Sequence, residues 1–291
     1  MDAQLSFLNG RWIPLHKARI SVLDRGFMLG DGLFETLRAY NGKIFRQELH
    51  LDRLWTGASA IGIELPWSRK KIGDLLNLAI KKNSLCSAYI RLTVTRGEGF
   101  INPSKYFTGS PNVSIITRPW PKLPKSFYLN GVGVIVFPET AQSTADIKIR
   151  VKTCNFLSAT LLKKRASEMG AFEAILLRGN SKLTEGAFSN LFIIKDHIVK
   201  TPQLNQWVLA GITRSVVLEI GIKSGIPCYE TSLNKEDLFS ADEVFLTNTG
   251  YEVLPVTYAN GIKIGTGKPG PLTRKLHRAF LKIVEEETHS C

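Results

Sequence analysis

Apolar and polar residues alternate with a two-residue period in several short runs of this chain, and turn residues punctuate the runs. "FLNGRWIPL" and "LRAYNGKIF" each set Asn-Gly between apolar stretches. That is the strongest short-range hairpin signal, because both turn residues accept the positive φ of a tight turn. The period then changes: Leu49, Leu54, Trp55, Ala58 and Ile61 recur at helical spacing in "QELHLDRLWTGASAIGI". "SRKKIGDLLNLAIKKN" predicts a second helix, which Ser68 can cap. "SAYIRLTVTRG" and "NVSIITRP" read as strands.

Residues 118–126, "RPWPKLPKS", hold three prolines in six residues, so the segment suits neither helix nor central strand. It divides the expected domains: 1–117 as an N-terminal α/β domain, 118–125 as linker and 126–291 as a C-terminal domain. The second half predicts the strand "GVGVIVFP", the strand "DIKIRVK" and a helix over 156–169. A hairpin then runs from "EAILLRG" to "NLFIIKDHIVKTP", a helix follows "LAGITR", and "DEVFLTN" and "EVLPVTYANGIKIG" are strands before a terminal helix. Strands and helices alternate irregularly, which predicts mixed α/β (α+β) domains rather than a doubly wound nucleotide fold.

Composition narrows the function classes. With 291 residues, 44% hydrophobic and 22% charged, this is the balance of a globular protein with a substantial core. No apolar run approaches the roughly eighteen residues of a membrane span, and "MDAQLSFLNG" lacks a secretory leader's pattern. Four cysteines without close pairing fit a reducing, cytoplasmic setting. The net charge of +13 permits an anionic partner, but the cations are dispersed and lack a basic tail, so no nucleic-acid partner is expected. Five histidines without ligand spacing predict no metal site.

Several short segments can carry chemistry, and each has a plainer alternative. Lys152 ends the run "KIRVK" just before a break at Thr153-Cys154-Asn155. An ordinary lysine is neutral about once in a few thousand molecules at pH 7, so a lysine that attacks a carbonyl needs help from its surroundings. Neighbouring cations at Lys148 and Arg150 could supply that pressure, and an ordinary wet strand face explains the same pattern. "LAGITR" puts Gly211, Ile212 and Thr213 at a helix start, where free amides suit a phosphate or simply make a capped turn. Asn248-Thr249-Gly250 ends a strand as either a donor cluster or an Asx/ST turn. Glu185 in "LTEGAFSNLF" is a turn residue or the holder of a proton on a ring nitrogen, and Arg38 and Arg53 are anion forks or surface ion pairs. "GDG" at 30–32 and "GTGKPG" at 265–270 are decoys that lack the context of a nucleotide loop.

Taken in order, "DRGFMLGDGLFETLRAYNG", "HLDRL", "VKTCN", "LTEGAFSNLF", "LAGITR", "ADEVFLTNTGYEVLPV" and "GKPGPLTRKL" resemble the class IV (fold type IV) pyridoxal-phosphate aminotransferase family. That family contains branched-chain aminotransferases, D-amino acid aminotransferases and 4-amino-4-deoxychorismate lyases. The resemblance covers about residues 20 to 276. It implies a two-domain fold type IV enzyme, with a small N-terminal domain and a larger C-terminal domain built on a barrel-like sheet.

It also implies a role for each matched residue. Lys152 would carry pyridoxal 5'-phosphate (PLP) covalently and move the substrate proton. Glu185 would pair with the ring nitrogen, and Arg53, Ile212, Thr213, Asn248 and Thr249 would hold the phosphate. Phe34, Arg38, Arg91 and Gly250 would face the substrate, with Arg96 adding to a basic pocket. Phe34 and Phe156 stand where family members commonly present a tyrosine to the ring oxygen, which leaves that contact to Asn155 or water. The implied activity is transfer of an amino group from an amino acid of branched-chain or D-type to a 2-oxo acid, by a ping-pong mechanism in a homodimer. Two alternatives stand beside it: a lyase that releases pyruvate and p-aminobenzoate, and a basic binding protein without catalysis.

Overall fold

The computed structural model describes residues 4–99, 109–138, 149–179 and 181–289. The chain forms two compact units. One comprises 1–121 with 151–156 and 284–291, and the other comprises 122–150 with 157–283. The six residues 151–156, Lys152 among them, pack with the N-terminal unit.

The first unit is built on an antiparallel sheet. Its elements are β1 (Leu5–Leu8), β2 (Arg11–Pro14), α1 (Arg25–Leu29), β3 (Gly32–Tyr40), β4 (Lys43–Ile44), α2 (Gln47–Ala60), α3 (Arg69–Lys82), β5 (Ala88–Thr95) and β6 (Asn112–Pro119). The strand order is β2-β1-β6-β5-β3-β4. Both expected hairpins form, with Asn9-Gly10 and Asn41-Gly42 at positive φ. Ser68 caps α3 by accepting the Lys71 amide at 3.2 Å. Leu33, Leu37 and Ala39 alternate into the core with Leu51, Leu54, Ile72 and Leu76 of the two long helices. β6 runs on through Arg118 and Pro119 into the expected linker. Pro119 is tolerated because it pairs only with β5, while β1 meets β6 further back at Ser114 and Ile115.

The second unit comprises α4 (Lys125–Asn130), β7 (Val132–Pro138), α5 (Leu157–Glu168), β8 (Glu173–Arg178), β9 (Lys182–Gly186), β10 (Asn190–Lys195) and β11 (Ile198–Pro202). It continues with α6 (Ile212–Lys223), β12 (Cys228–Thr231), α7 (Lys235–Phe239), β13 (Glu243–Asn248), β14 (Glu252–Ala259), β15 (Ile262–Lys263) and α8 (Pro271–Thr288), whose last turns belong to the first unit. The mixed sheet has the order β12-β11-β10-β13-β14-β7-β8-β9, with β15 on β14. It curls into a half-barrel. Among the described residues, parallel pairing is confined to β11–β12, β14–β7 and β7–β8.

Three expectations need correction. "EVLPVTYANGIKIG" is two strands, because Asn260-Gly261 turns the chain at positive φ as the earlier Asn-Gly pairs do. The expected strand "DIKIRVK" is absent over 149–152, and 146–148 lie outside the described residues; beyond it Thr153 makes only an isolated bridge to Leu33. The hairpin expected from "EAILLRG" to "NLFIIKDHIVKTP" is two hairpins, since β8 pairs with β9 and β10 with β11; α1, α4, β9, β12 and α7 are further elements that the sequence patterns do not announce. The decoy "GTGKPG" has a structural use: Glu243 accepts the Leu272 and Thr273 amides at 3.0 and 2.7 Å and so caps α8. A Cβ on Gly270 would meet that carboxylate at 1.9 Å.

Candidate active site

In the first unit, β3 and the 151–156 segment lie side by side. The Phe34 amide donates to the Lys152 carbonyl at 3.1 Å, and the Cys154 amide donates to the Gly32 carbonyl at 2.8 Å. These main-chain bonds fix the backbone on either side of Thr153 and so aim the Lys152 side chain. Its Nζ lies 4.5 Å from the centre of the Phe34 ring and 5.6 Å from that of Phe156. The two rings meet edge to face at 5.0 Å. The residues at the positions where tyrosine was expected are thus a phenyl pair beside the lysine.

Alternation along β3 places Phe34, Thr36, Arg38 and Tyr40 on the face opposite the helices. Arg91 of β5, registered with Thr36, brings its Cζ to 3.4 Å from the Phe34 ring centre. Arg38 lies between Tyr40 and Trp120, at 4.2 and 4.5 Å from their ring centres. So Phe34, Arg38 and Arg91, the expected substrate-facing residues of this unit, share one sheet face. Arg96 is used differently, as a strut: it donates to Asp31 at 2.8 Å, and Arg25 donates to the same carboxylate at 2.9 Å.

Arg53 is on the helix side of the same sheet, gripping Glu35 with two bonds of 2.7 Å. His50, one helical turn earlier, meets the same carboxylate at 2.8 Å. Burial disfavours the charged carboxylate, but Arg53 and His50 outweigh it and hold Glu35 at a pKa of about 2. Burial, with positive charge on Arg53 and Lys152, keeps His50 below its ordinary value against the pull of Glu35. Neither Glu35 nor His50 was singled out in the sequence. The signal was present: Glu35 is a carboxylate at a core-facing position between Leu33 and Leu37.

The second unit carries the remaining candidates in two places. The first is built around Glu185, at the end of β9. Its Oε2 accepts the Leu209 amide at 2.8 Å and an Asn190 Nδ2 hydrogen at 3.4 Å, while Arg150 Nε approaches Oε1 at 3.4 Å. Asn190 also donates to the Leu209 carbonyl at 2.9 Å. Two residues after Leu209, Gly211 starts α6 without a side-chain cap, which leaves the first-turn amides of Ile212 and Thr213 for an outside acceptor.

Asn190, a polar residue opening an apolar strand, is the group the sequence reading missed here. It sets the distance between carboxylate and helix start. A Cβ on Gly211 would lie 1.9 Å from Asn190 Oδ1. Gly211→Ala is therefore expected to destabilise the fold by about 1–3 kcal/mol, although its φ of −69° suits alanine. Urea unfolding measures the loss.

The second place is the turn after β13. Asn248 Oδ1 accepts the Gly250 and Tyr251 amides at 2.7 and 2.8 Å, and its Nδ2 donates to the Phe188 carbonyl at 3.0 Å. The Asn248 side chain is committed to shaping an Asx turn, which leaves Thr249 as the hydroxyl that the turn presents. A carboxylate suited to a protonated ring nitrogen and an uncapped helix start suited to a phosphate are the donor set that PLP requires. Among the described residues no group of three or more His, Cys, Asp or Glu could hold a metal ion.

Comparisons with known proteins identify the family. Residues 32–259 match the family model described as amino-transferase class IV. A Methanocaldococcus jannaschii protein provisionally named a branched-chain-amino-acid aminotransferase is 35% identical over 277 residues, 95% of each chain. A D-alanine aminotransferase of Listeria monocytogenes is 34% identical over 289 residues, 98% of this chain and 96% of its own. The T.th. branched-chain amino acid aminotransferase, in its crystal structure complexed with N-(5'-phosphopyridoxyl)-L-glutamate, superposes with a TM-score of 0.89 at 27% identity. It covers 98% of this chain and 95% of that one.

Proposed function

Because the chain belongs to the class IV aminotransferase family and is a PLP-dependent transaminase, we propose the division of labour among its residues and the substrates they serve. PLP, when bound, supplies an electron sink for the negative charge that develops on an amino acid's Cα. Lys152 would attach the cofactor and move the proton to and from that carbon. Glu185 would hold a proton on the ring nitrogen. Its contacts with Leu209, Arg150 and Asn190 support this role, since they orient the carboxylate. The Ile212 and Thr213 amides, the Thr249 hydroxyl and Arg53 would bind the phosphate, with Asn248 shaping the turn that carries Thr249. Phe34, Arg38, Arg91 and the Gly250 backbone would orient the substrate.

The observation that carries the reading is the Glu185 carboxylate fixed at the chain segment that leads directly into the uncapped start of α6. Purified protein is expected to be yellow, and borohydride should fix the cofactor to the peptide containing Lys152. Protein that takes up no PLP would sink this assignment of residues.

The amino donor is a branched-chain L-amino acid or a D-amino acid, the two classes for which the relatives above are named, and a 2-oxo acid is the acceptor. Two half-reactions would alternate at one site, each releasing its product before the next substrate enters. A panel of L-branched, L-aromatic and D-amino acids with 2-oxoglutarate decides between the classes. Turnover without any 2-oxo acid, releasing pyruvate, would instead mark a lyase, a reading the relatives' names do not favour. A homodimer is part of this proposal. Val22, Phe27, Met28 and Leu29 expose a run of apolar side chains on the first unit, and a second copy would cover them. The proposed setting is the cytoplasm, without nucleic-acid or membrane partners; among the described residues no helix is long and apolar enough to cross a membrane.

A further inference from the structure

Beneath the Glu185 and Thr249 segments lies a buried carboxylate that the proposed function leaves unused. Glu173 of β8 is fully buried. Its Oε1 accepts the Ala174 amide at 3.0 Å and lies 3.9 Å from Lys163 Nζ. Its Oε2 accepts the Tyr251 hydroxyl at 2.9 Å and the Ser189 hydroxyl at 3.4 Å, and the Phe188 backbone adds a further hydrogen bond. A carboxylate this deep persists only where donors satisfy its lone pairs.

The donors come from two separate stretches. Phe188 and Ser189 belong to the turn between β9 and β10, which is flanked by Glu185 of β9 and Asn190 of β10. Tyr251 closes the turn that presents Thr249, and its own amide is bound by Asn248. The packing leaves little slack: a Cβ on Gly186 would meet Ser189 Oγ at 2.1 Å and Glu173 Cγ at 3.3 Å. Lys163 balances the charge while its ammonium rests 3.9 Å from the Phe172 ring centre, and Phe172 packs edge to face on Tyr251 at 5.2 Å.

We propose that Glu173 is a positioning residue that locks the Glu185 turn to the Thr249 turn, with Tyr251 as its link to the phosphate-binding side. The proposal rests on the assignment of Thr249 to the phosphate and of Glu185 to the ring. Loss of the Tyr251 hydroxyl loosens the Thr249 turn, which Asn248 still ties to the Phe188 carbonyl, while leaving Glu185, Lys152 and the helix start in place. It should therefore weaken the grip on phosphate and spare the grip on the ring.

The test compares PLP with pyridoxal, which lacks the phosphate, by absorbance titration of the full-length apoprotein. Wild type should prefer PLP; failure of wild type to bind PLP would defeat the assignment of the site itself. In Tyr251→Phe, affinity for PLP is expected to fall about tenfold, the size of one or two lost hydrogen bonds, with pyridoxal affinity nearly unchanged. Glu173→Gln, which loosens both turns, should weaken both ligands. Parallel weakening of both ligands in Tyr251→Phe, or no weakening of either, overturns the positioning role. Tyr251→Phe removes a single oxygen, so it keeps the question answerable if Glu173→Gln fails to fold.

Discussion

Replacing Lys152 with alanine is expected to lower turnover by about four orders of magnitude, the upper range for loss of a positioned acid–base group. The lysine serves twice in the proposed scheme, as covalent anchor and as proton carrier. Its loss should therefore leave PLP bound less tightly and release it on dialysis. The Lys152 carbonyl accepts the Phe34 amide through the main chain, so the alanine variant keeps the local backbone. A small amine such as methylamine, added to the variant, should restore part of the rate, because it can take up the proton without being tethered. Stopped-flow assays of a single half-reaction, with and without amine, measure both effects. A variant that keeps a tenth or more of wild-type turnover would remove Lys152 from the chemistry.

Glu35→Gln carries the largest expected effect on stability, a loss of about 3–5 kcal/mol in urea unfolding, as for other buried ion pairs broken on one side. Arg53 would keep one acceptor and lose the charge that its fork matches, and His50 would lose its anionic partner. The sign of the pH dependence follows from the Glu35 carboxyl, whose folded-state pKa is depressed from 4.5 to about 2. Its contribution is fully present above the unfolded value and is lost as pH falls from about 4.5 through about 2. That window corresponds to on the order of 3 kcal/mol. The lowered His50 value acts in the same direction from a higher starting point, since acid must force a charge onto a buried imidazole. Wild type should therefore lose stability on acidification more steeply than Glu35→Gln, and equal acid limbs would remove Glu35 from that role. Arg53 would also be less well aimed, so the variant should bind PLP more weakly than wild type.

Much of the fold was legible because its signals are local. Asn-Gly pairs at 9–10 and 41–42 make hairpins where expected, and the same chemistry at 260–261 turns β14 back into β15. Ser68 capped α3 as its position predicts. The strand expected before Lys152 does not form over the described residues 149–152 because alternation alone does not provide a ladder: the segment meets β3 at Lys152, Thr153 and Cys154, as an isolated bridge. Asn248 shows the converse. Its side chain is a turn-former, the plainer of the two readings, and only the hydrogen bonds to Gly250, Tyr251 and Phe188 reveal this.

Local pattern in the chain was enough for the Asn-Gly turns, the Ser68 cap, the alternating core faces and, through seven ordered motifs, the family and its candidate lysine. Those features depend on a residue and its near neighbours, or on order along the chain. Tertiary structure alone decided that Arg53 and His50 share Glu35, that Asn190 spaces Glu185 from the start of α6, and that Glu173 joins two turns. Each of those pairings depends on which distant groups enter the same buried volume. There, a charge or polar atom must find its partner within hydrogen-bond reach or not be buried at all.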